Sequence, residues 1–171
     1  MKVLDLTQVK DVNSNIVAGG YVCKITQVVN NSDKEYLLIE FDIAEGEFKN
    51  YYEALEEAKG FWGGTMYKSY KESALPVFKK FCVAVTKSNP KYVFDAGEKN
   101  HDEQTLVGKL IGVILREEEY IGNDGSIKTR LIEDYCTDVE SIRNKSFKVR
   151  PKIELPPDKK EEVTNIDELF Q

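Results

Sequence analysis

The side chains with the most chemical potential are concentrated in about a fifth of the chain. Residues 48–81 hold nine of the 18 aromatic residues: Phe48, Tyr51, Tyr52, Phe61, Trp62, Tyr67, Tyr70, Phe78 and Phe81. Lys49, Lys59, Lys68, Lys71, Lys79 and Lys80 are interleaved with them. Flat rings beside ammonium groups suit a flexible polyanion with open π faces. Rings stack on unpaired bases at about 1–3 kcal/mol per base, and lysines track the phosphates. Phe78 and Phe81 sit in a helical pattern and belong to a core. Tyr51, Tyr52, Tyr67 and Tyr70 stand beside charged or polar residues, which suits a surface. Trp62, between Phe61 and Gly63-Gly64, fits a core or a binding face equally well.

The charge pattern points the same way. The chain has 24 basic and 30 acidic residues, net −6. Within residues 61–101, however, seven lysines face three acids, and within 154–171 six acids face two lysines. A basic middle and an acidic end suit a nucleic-acid surface with an acidic tail. Ordinary scatter of surface charge is the plainer explanation, and the aromatic placement is what tips the balance. Phosphate binding depends on local lysines rather than on the total charge.

Other chemistries find little support. No apolar run reaches the roughly 18 residues of a membrane helix. The start, MKVLDLTQVKDV, carries acids and lacks a continuous apolar stretch, so a secretory signal is not expected. Cys23, Cys82 and Cys136 are widely spaced and form no metal-binding pair, which suits buried thiols in a reducing cytoplasm. The single histidine, His101, lies in the polar stretch GEKNHDEQ, a poor place for a triad base. No Walker loop or HExxH is present. One enzymatic alternative is a metal-dependent nuclease, with Glu47-Phe48-Lys49 and Asp33 or Asp42 upstream. That pattern is short enough to arise by chance.

These residues need elements to hold them. YVCKITQVV (21–29) alternates with period two. After the turn residues 30–34, Leu37, Ile39, Phe41 and Ile43 share one face of a second strand, with Glu40 and Asp42 on the other. FKNYY suggests a third strand, EALEEAK a helical turn, and GFWGGTMYKSY a strand or a loop with tight backbone. A helix is predicted from Ser73, with Pro76 in its first turn, to Asn89-Pro90. Residues 106–115 read as a strand. A hairpin follows with Asn123-Asp124-Gly125 at its turn, and Lys128 and Arg130 share one of its faces. DVESIR suggests a short helix. From about Arg150 the apolar pattern fades, three of the five prolines gather, and disorder is expected.

The order is three strands, a helix, two strands and a tail. The fold class expected is all-β with one main helix. Its plan is a five-stranded OB-fold barrel with the helix between strands 3 and 4, followed by a disordered acidic C-terminal tail. Residues 1–150 would form the domain and residues 151–171 the tail.

The segments GFWGGTMYKSYKESALPVFKKF, LVGKLIGVILREEEY and GNDGSIKTRL resemble a family encoded by phages and prophages of low-GC Gram-positive bacteria. Its members are regarded as OB-fold single-stranded DNA-binding proteins. The resemblance runs from about Gly19 to Arg150. Separately, Asn165-Ile166-Asp167-Glu168-Leu169-Phe170 is similar to the acidic tip of bacterial and phage single-stranded DNA-binding proteins. Such tips recruit replication and repair partners. The resemblance implies that Asp167, Glu168, Leu169 and Phe170 bind the partner, with Phe170 entering a pocket and Asp167 and Glu168 facing its basic rim. Here only two acids are adjacent, and Gln171 follows the phenylalanine.

The reading is sequence-tolerant binding and protection of single-stranded DNA in phage replication or recombination. Trp62, Tyr67, Tyr70, Tyr51 and Tyr52 are the stacking candidates. Lys49, Lys68, Lys71, Lys128 and Arg130 are the phosphate contacts. No catalytic residue, metal or small cofactor is implied. The expected partners are single-stranded DNA and, through the tail, replication or recombination proteins. A membrane is not expected, a homo-oligomer stays open, and the location expected is the host cytoplasm. A protein-interaction module built on the same barrel is the main alternative.

Overall fold

Alternation in two neighbouring strands, broken in the first by a register shift between Ile25 and Gln27, sets the architecture. The computed structural model describes residues 15–94 and 102–169. Five strands form one antiparallel sheet in the order β3-β2-β1-β4-β5. They are β1 Gly19–Asn31, β2 Tyr36–Ile43, β3 Thr65–Ser69, β4 Leu110–Ile121 and β5 Ile127–Thr137. Cys23, Ile25 and Val28 of β1 and Leu37, Ile39, Phe41 and Ile43 of β2 all face one core. Ile111, Val113 and Leu115 of β4 join them. β1 pairs with β2 on one side and β4 on the other, so it is the central strand.

The main helix, α2 (Leu75–Ser88), lies between β3 and β4 in the chain, as the apolar spacing predicts. Pro76 sits in its first turn, and Phe78, Phe81, Cys82, Ala84 and Val85 are buried. Asn89 fixes its end. Its amide donates to the carbonyls of Val85 (2.8 Å) and Leu110 (2.9 Å), and its oxygen accepts from Leu110 N (2.9 Å). β4 begins at Leu110, later than the apolar run suggests, because Gly108 takes φ +88° after a short turn at Glu103–Leu106.

Two expectations need correction. FKNYY is not the third strand. Asn50 turns left-handed (φ 61°), and Tyr51 opens a helix, α1 (Tyr51–Lys59). The buried Asp42 carboxylate directs this, accepting from Tyr52 N (2.8 Å) and Glu53 N (3.1 Å). The third strand is instead TMYKS. Gly64 precedes it because any Cβ there would lie 2.2 Å from the Phe41 carbonyl oxygen and 2.7 Å from the Tyr52 ring.

The tail is also more ordered than composition suggests. After α3 (Val139–Arg143), Ile153 forms a parallel bridge to Glu118 on β4, where β1 no longer covers the strand. Ile153 N donates to Glu117 O (2.9 Å), and Glu119 N donates to Ile153 O (2.8 Å). Arg116 reaches the Pro151 carbonyl (2.6 Å) and Arg150 pairs with Asp134. A fourth helix, α4 (Pro157–Leu169), follows, with Val163 buried and Lys160 paired to Glu119 (3.2 Å). Glu119 is held below the usual carboxylate range by the Leu155 amide and by Lys160. Alternating apolar residues at 153 and 155 give this proline-rich stretch an edge to add to. Phe170 lies outside the described residues, and of Asp167, Glu168 and Leu169 only the helical backbone is described.

The sheet curls until its two edges face each other. Lys68 of β3 points inward and its Nζ lies 2.5 Å from Glu133 Oε1 of β5. Both side chains are almost dry, at 6% and 11% exposure. The Cys136 thiol of β5 lies 3.6 Å from Met66 Sδ and 3.4 Å from Glu133 Oε1. Burial opposes the charge on Lys68, yet Cys136 and Glu133 outweigh it and raise its pKa. Burial pushes the Cys136 thiol up to about 12. The result is a small barrel-like sheet with its core inside. Replacing Lys68 by Met leaves a buried carboxylate unpaired and is expected to cost about 3–5 kcal/mol. Urea unfolding of Lys68→Met checks this; a loss under about 1 kcal/mol would show the pair is dispensable.

Candidate nucleic-acid interface

Alternation that fills the barrel also decides what lies outside it. On β3, Met66 and Lys68 point in, so Thr65, Tyr67 and Ser69 point out. On β2, Tyr36, Leu38 and Glu40 point out; on β1, Gln27, Val29 and Asn31 do so. The register aligns them in rows: Val29 with Leu38 and Tyr67, Asn31 with Tyr36 and Ser69, Gln27 with Glu40 and Thr65. The middle row is wholly apolar or aromatic. Tyr67 is 64% exposed and Val29 44% exposed. Tyr36 and Tyr67 meet edge to face, with centroids 5.3 Å apart. The Tyr36 hydroxyl accepts from the Asn31 side chain (3.2 Å), which steadies the ring.

One end of this face carries lysines. The Tyr70 amide donates to Glu35 O (2.9 Å), bringing the β1–β2 turn against the end of β3. Lys34 and Lys71 therefore both stand at that rim and are exposed, with the exposed acids Asp33, Glu35 and Glu72 flanking them in the chain. Tyr70 is half-buried; its hydroxyl donates to Asn30 Oδ1 (2.8 Å) and its ring meets Phe78. Lys24, also exposed, stands on β1 towards the other end.

The remaining sequence candidates divide into two further groups. Around α1, Tyr52 is 5% exposed, packed on Phe41 and Trp62. Burial raises its hydroxyl pKa strongly. It is a core residue, not a stacking platform, because it fills the space beside Gly64. Tyr51 is half-buried between Phe48 and Tyr52. Trp62 is half-buried against the core, its Nε1 donating to Gly64 O (3.0 Å). Phe61 (54% exposed) and Lys49 are open to solvent beside the exposed acids of α1, Glu53, Glu56 and Glu57. On the β4–β5 hairpin, Arg130 pairs with Glu118 (2.7 Å) and lies 4.7 Å over the Tyr120 ring. Lys128 faces Asp124 (3.6 Å). These are exposed pairs that a phosphate can displace at little cost. Lys68 belongs to none of the groups, since the strand turns it inward onto Glu133.

Of the sequence candidates, the structure brings Tyr67, Tyr70 and Lys71 to this face or its rim; Val29, Tyr36, Leu38 and Lys34 share it and are not among those candidates. The signal was available: Tyr36 and Leu38 interrupt the polar face of the clearest strand. Asp42, considered as a metal ligand, is committed to capping α1. Among the described residues no group of three His, Cys, Asp or Glu side chains could hold a metal ion. Nor is any described helix long and apolar enough to cross a membrane. Cys23 and Cys82 are buried, and Cys136 is half-buried. His101 lies outside the described residues.

No protein-family model and no curated protein matches this chain.

The division between platform and core has a direct test. Tyr52→Ala is expected to cost about 3–5 kcal/mol of stability, as large aromatic truncations in cores do. Tyr67→Ala is expected to stay within about 0.5 kcal/mol of the parent, as exposed positions do. Chemical unfolding of the two variants side by side reads both values.

Proposed function

We propose that the chain is an OB-fold protein that binds single-stranded DNA with little sequence preference. The strand order, the shared partner strand β1 and the helix between β3 and β4 support that fold assignment. One observation carries the functional reading. The solvent face of β1–β3 presents Tyr36, Tyr67, Leu38 and Val29 where an ordinary antiparallel sheet would turn polar residues to water.

Bases would stack on Tyr67 and Tyr36, with Leu38 and Val29 beneath them. Lys34 and Lys71 would take phosphates at one rim and Lys24 at the other. Arg130, backed by the Tyr120 ring, and Lys128 are the hairpin's contribution. Stacking needs only a π face, which every base has, so the binding is tolerant of sequence. A coated strand is kept from folding and from nucleases. The acidic C-terminal residues, Asp167 to Phe170, would recruit replication or recombination proteins. The resemblance to phage-encoded proteins sets this in phage DNA metabolism, in the host cytoplasm.

Fluorescence anisotropy with labelled oligothymidine tests the reading. Tyr67→Ala and Tyr36→Ala are each expected to weaken binding by about 1–3 kcal/mol. Lys34→Ala and Lys71→Ala are each expected to lower the salt dependence by about one released ion. Matched duplex should bind far less. Unchanged affinity in both tyrosine variants would remove this face as the binding site.

A further inference from the structure

We propose that the groove between α2 and the end of β5 is a docking site for an acidic protein segment carrying apolar side chains. The groove is about 510 Å³ in volume. One wall is an outward stripe of α2, in which Lys79, Lys80, Val83 and Lys87 follow one another at helical spacing. The other wall is Cys136, Thr137 and Asp138, at the end of β5 and just beyond it. Val83 sits among the lysines and is 44% exposed. The buried face of α2 is complete without it, so Val83 is free to form an aliphatic floor between the lysines.

The charges around the groove are unevenly committed. Asp138 accepts from Ser141 N (3.0 Å) and Ser141 Oγ (2.9 Å), capping α3. Asp134, in the adjoining cleft, is taken by Arg150 and Arg116. Lys79, Lys80 and Lys87 make no ion pair among the described residues. The rim therefore sets three lysines against one carboxylate, Asp138, which caps α3 and feels Lys87, and it stays cationic over an aliphatic and thiol floor.

That combination selects the occupant. Unpaired bases want flat rings, and this groove is lined by none. An aliphatic floor takes a Leu, Ile or Val side chain, and lysines on the rim take flanking carboxylates. The site uses residues other than those of the tyrosine face, so it stands or falls separately from DNA binding.

The test is anisotropy of a labelled peptide of about twelve residues, with a central Leu-Phe-Leu cluster flanked by glutamates, against the full chain at low salt. A peptide with lysines in place of the glutamates is the control. Saturable binding of the acidic peptide alone is expected. It should weaken at least about tenfold in Lys79→Glu/Lys80→Glu and again in Val83→Asp, with unfolding midpoints close to the parent. The proposal is overturned if the acidic peptide fails to saturate by about 1 mM, or if both variants bind like the parent. It is also overturned if oligothymidine displaces the peptide in the Tyr67→Ala background, where the groove itself would have to hold DNA. Self-association of the parent that the two variants abolish would overturn it too, by making a second copy the occupant.

Discussion

Closure of β3 against β5 is the constraint on which the rest of the molecule depends. Four backbone ladders join all five strands in a row, but the two edges, β3 and β5, meet through side chains, chiefly Lys68 with Glu133 and Met66 with Cys136. A salt bridge that is nearly dry is an expensive device, and its merit is direction rather than net energy. Lys68 can be buried only if Glu133 stands opposite, so the pair fixes which residues of β3 and β5 face inward. Phe81 of α2 lies under the ammonium, 5.8 Å from ring centre to Nζ, and links the helix to the same closure.

Once Lys68 is inside, Tyr67 must be outside, since neighbours on a strand point to opposite faces. The register then sets Tyr67 beside Leu38 and Val29, and the turn at Lys34-Glu35 against Tyr70-Lys71. An apolar platform with lysines at its ends thus follows from how the core is filled. The same logic excludes Tyr52, whose ring closes the core beside Gly64, and leaves Trp62 half-covered with its indole N–H satisfied by backbone.

Much of this could be read from residue order, and what could not has identifiable physical causes. The alternation in EYLLIEFDI and the helical spacing from Pro76 to Val85 are local signals, and both elements are present. FKNYY reads as strand from its ring residues, but Asp42 caps α1 from ten residues upstream, a side-chain contact that hydrophobic periodicity does not report. The tail was misread because proline and charge mask Ile153, whose partner on β4 is distant in the chain. Lys68 was assigned to the surface by its type, although alternation with Tyr67 forbids both from facing water. Tyr67 stands out by composition, whereas Tyr36 and Leu38 belong to a strand whose core face already accounts for it, and only the register sets them beside Tyr67.

The central claim is that single strands lie on the outer face of β1–β3. Amide chemical-shift mapping of the labelled full chain with short oligothymidine tests it most directly. The account predicts saturable shifts centred on Val29, Tyr36, Leu38 and Tyr67, extending to Lys34 and Lys71, with Tyr52 and Met66 little moved. Saturable shifts centred elsewhere, with this face silent, would contradict it.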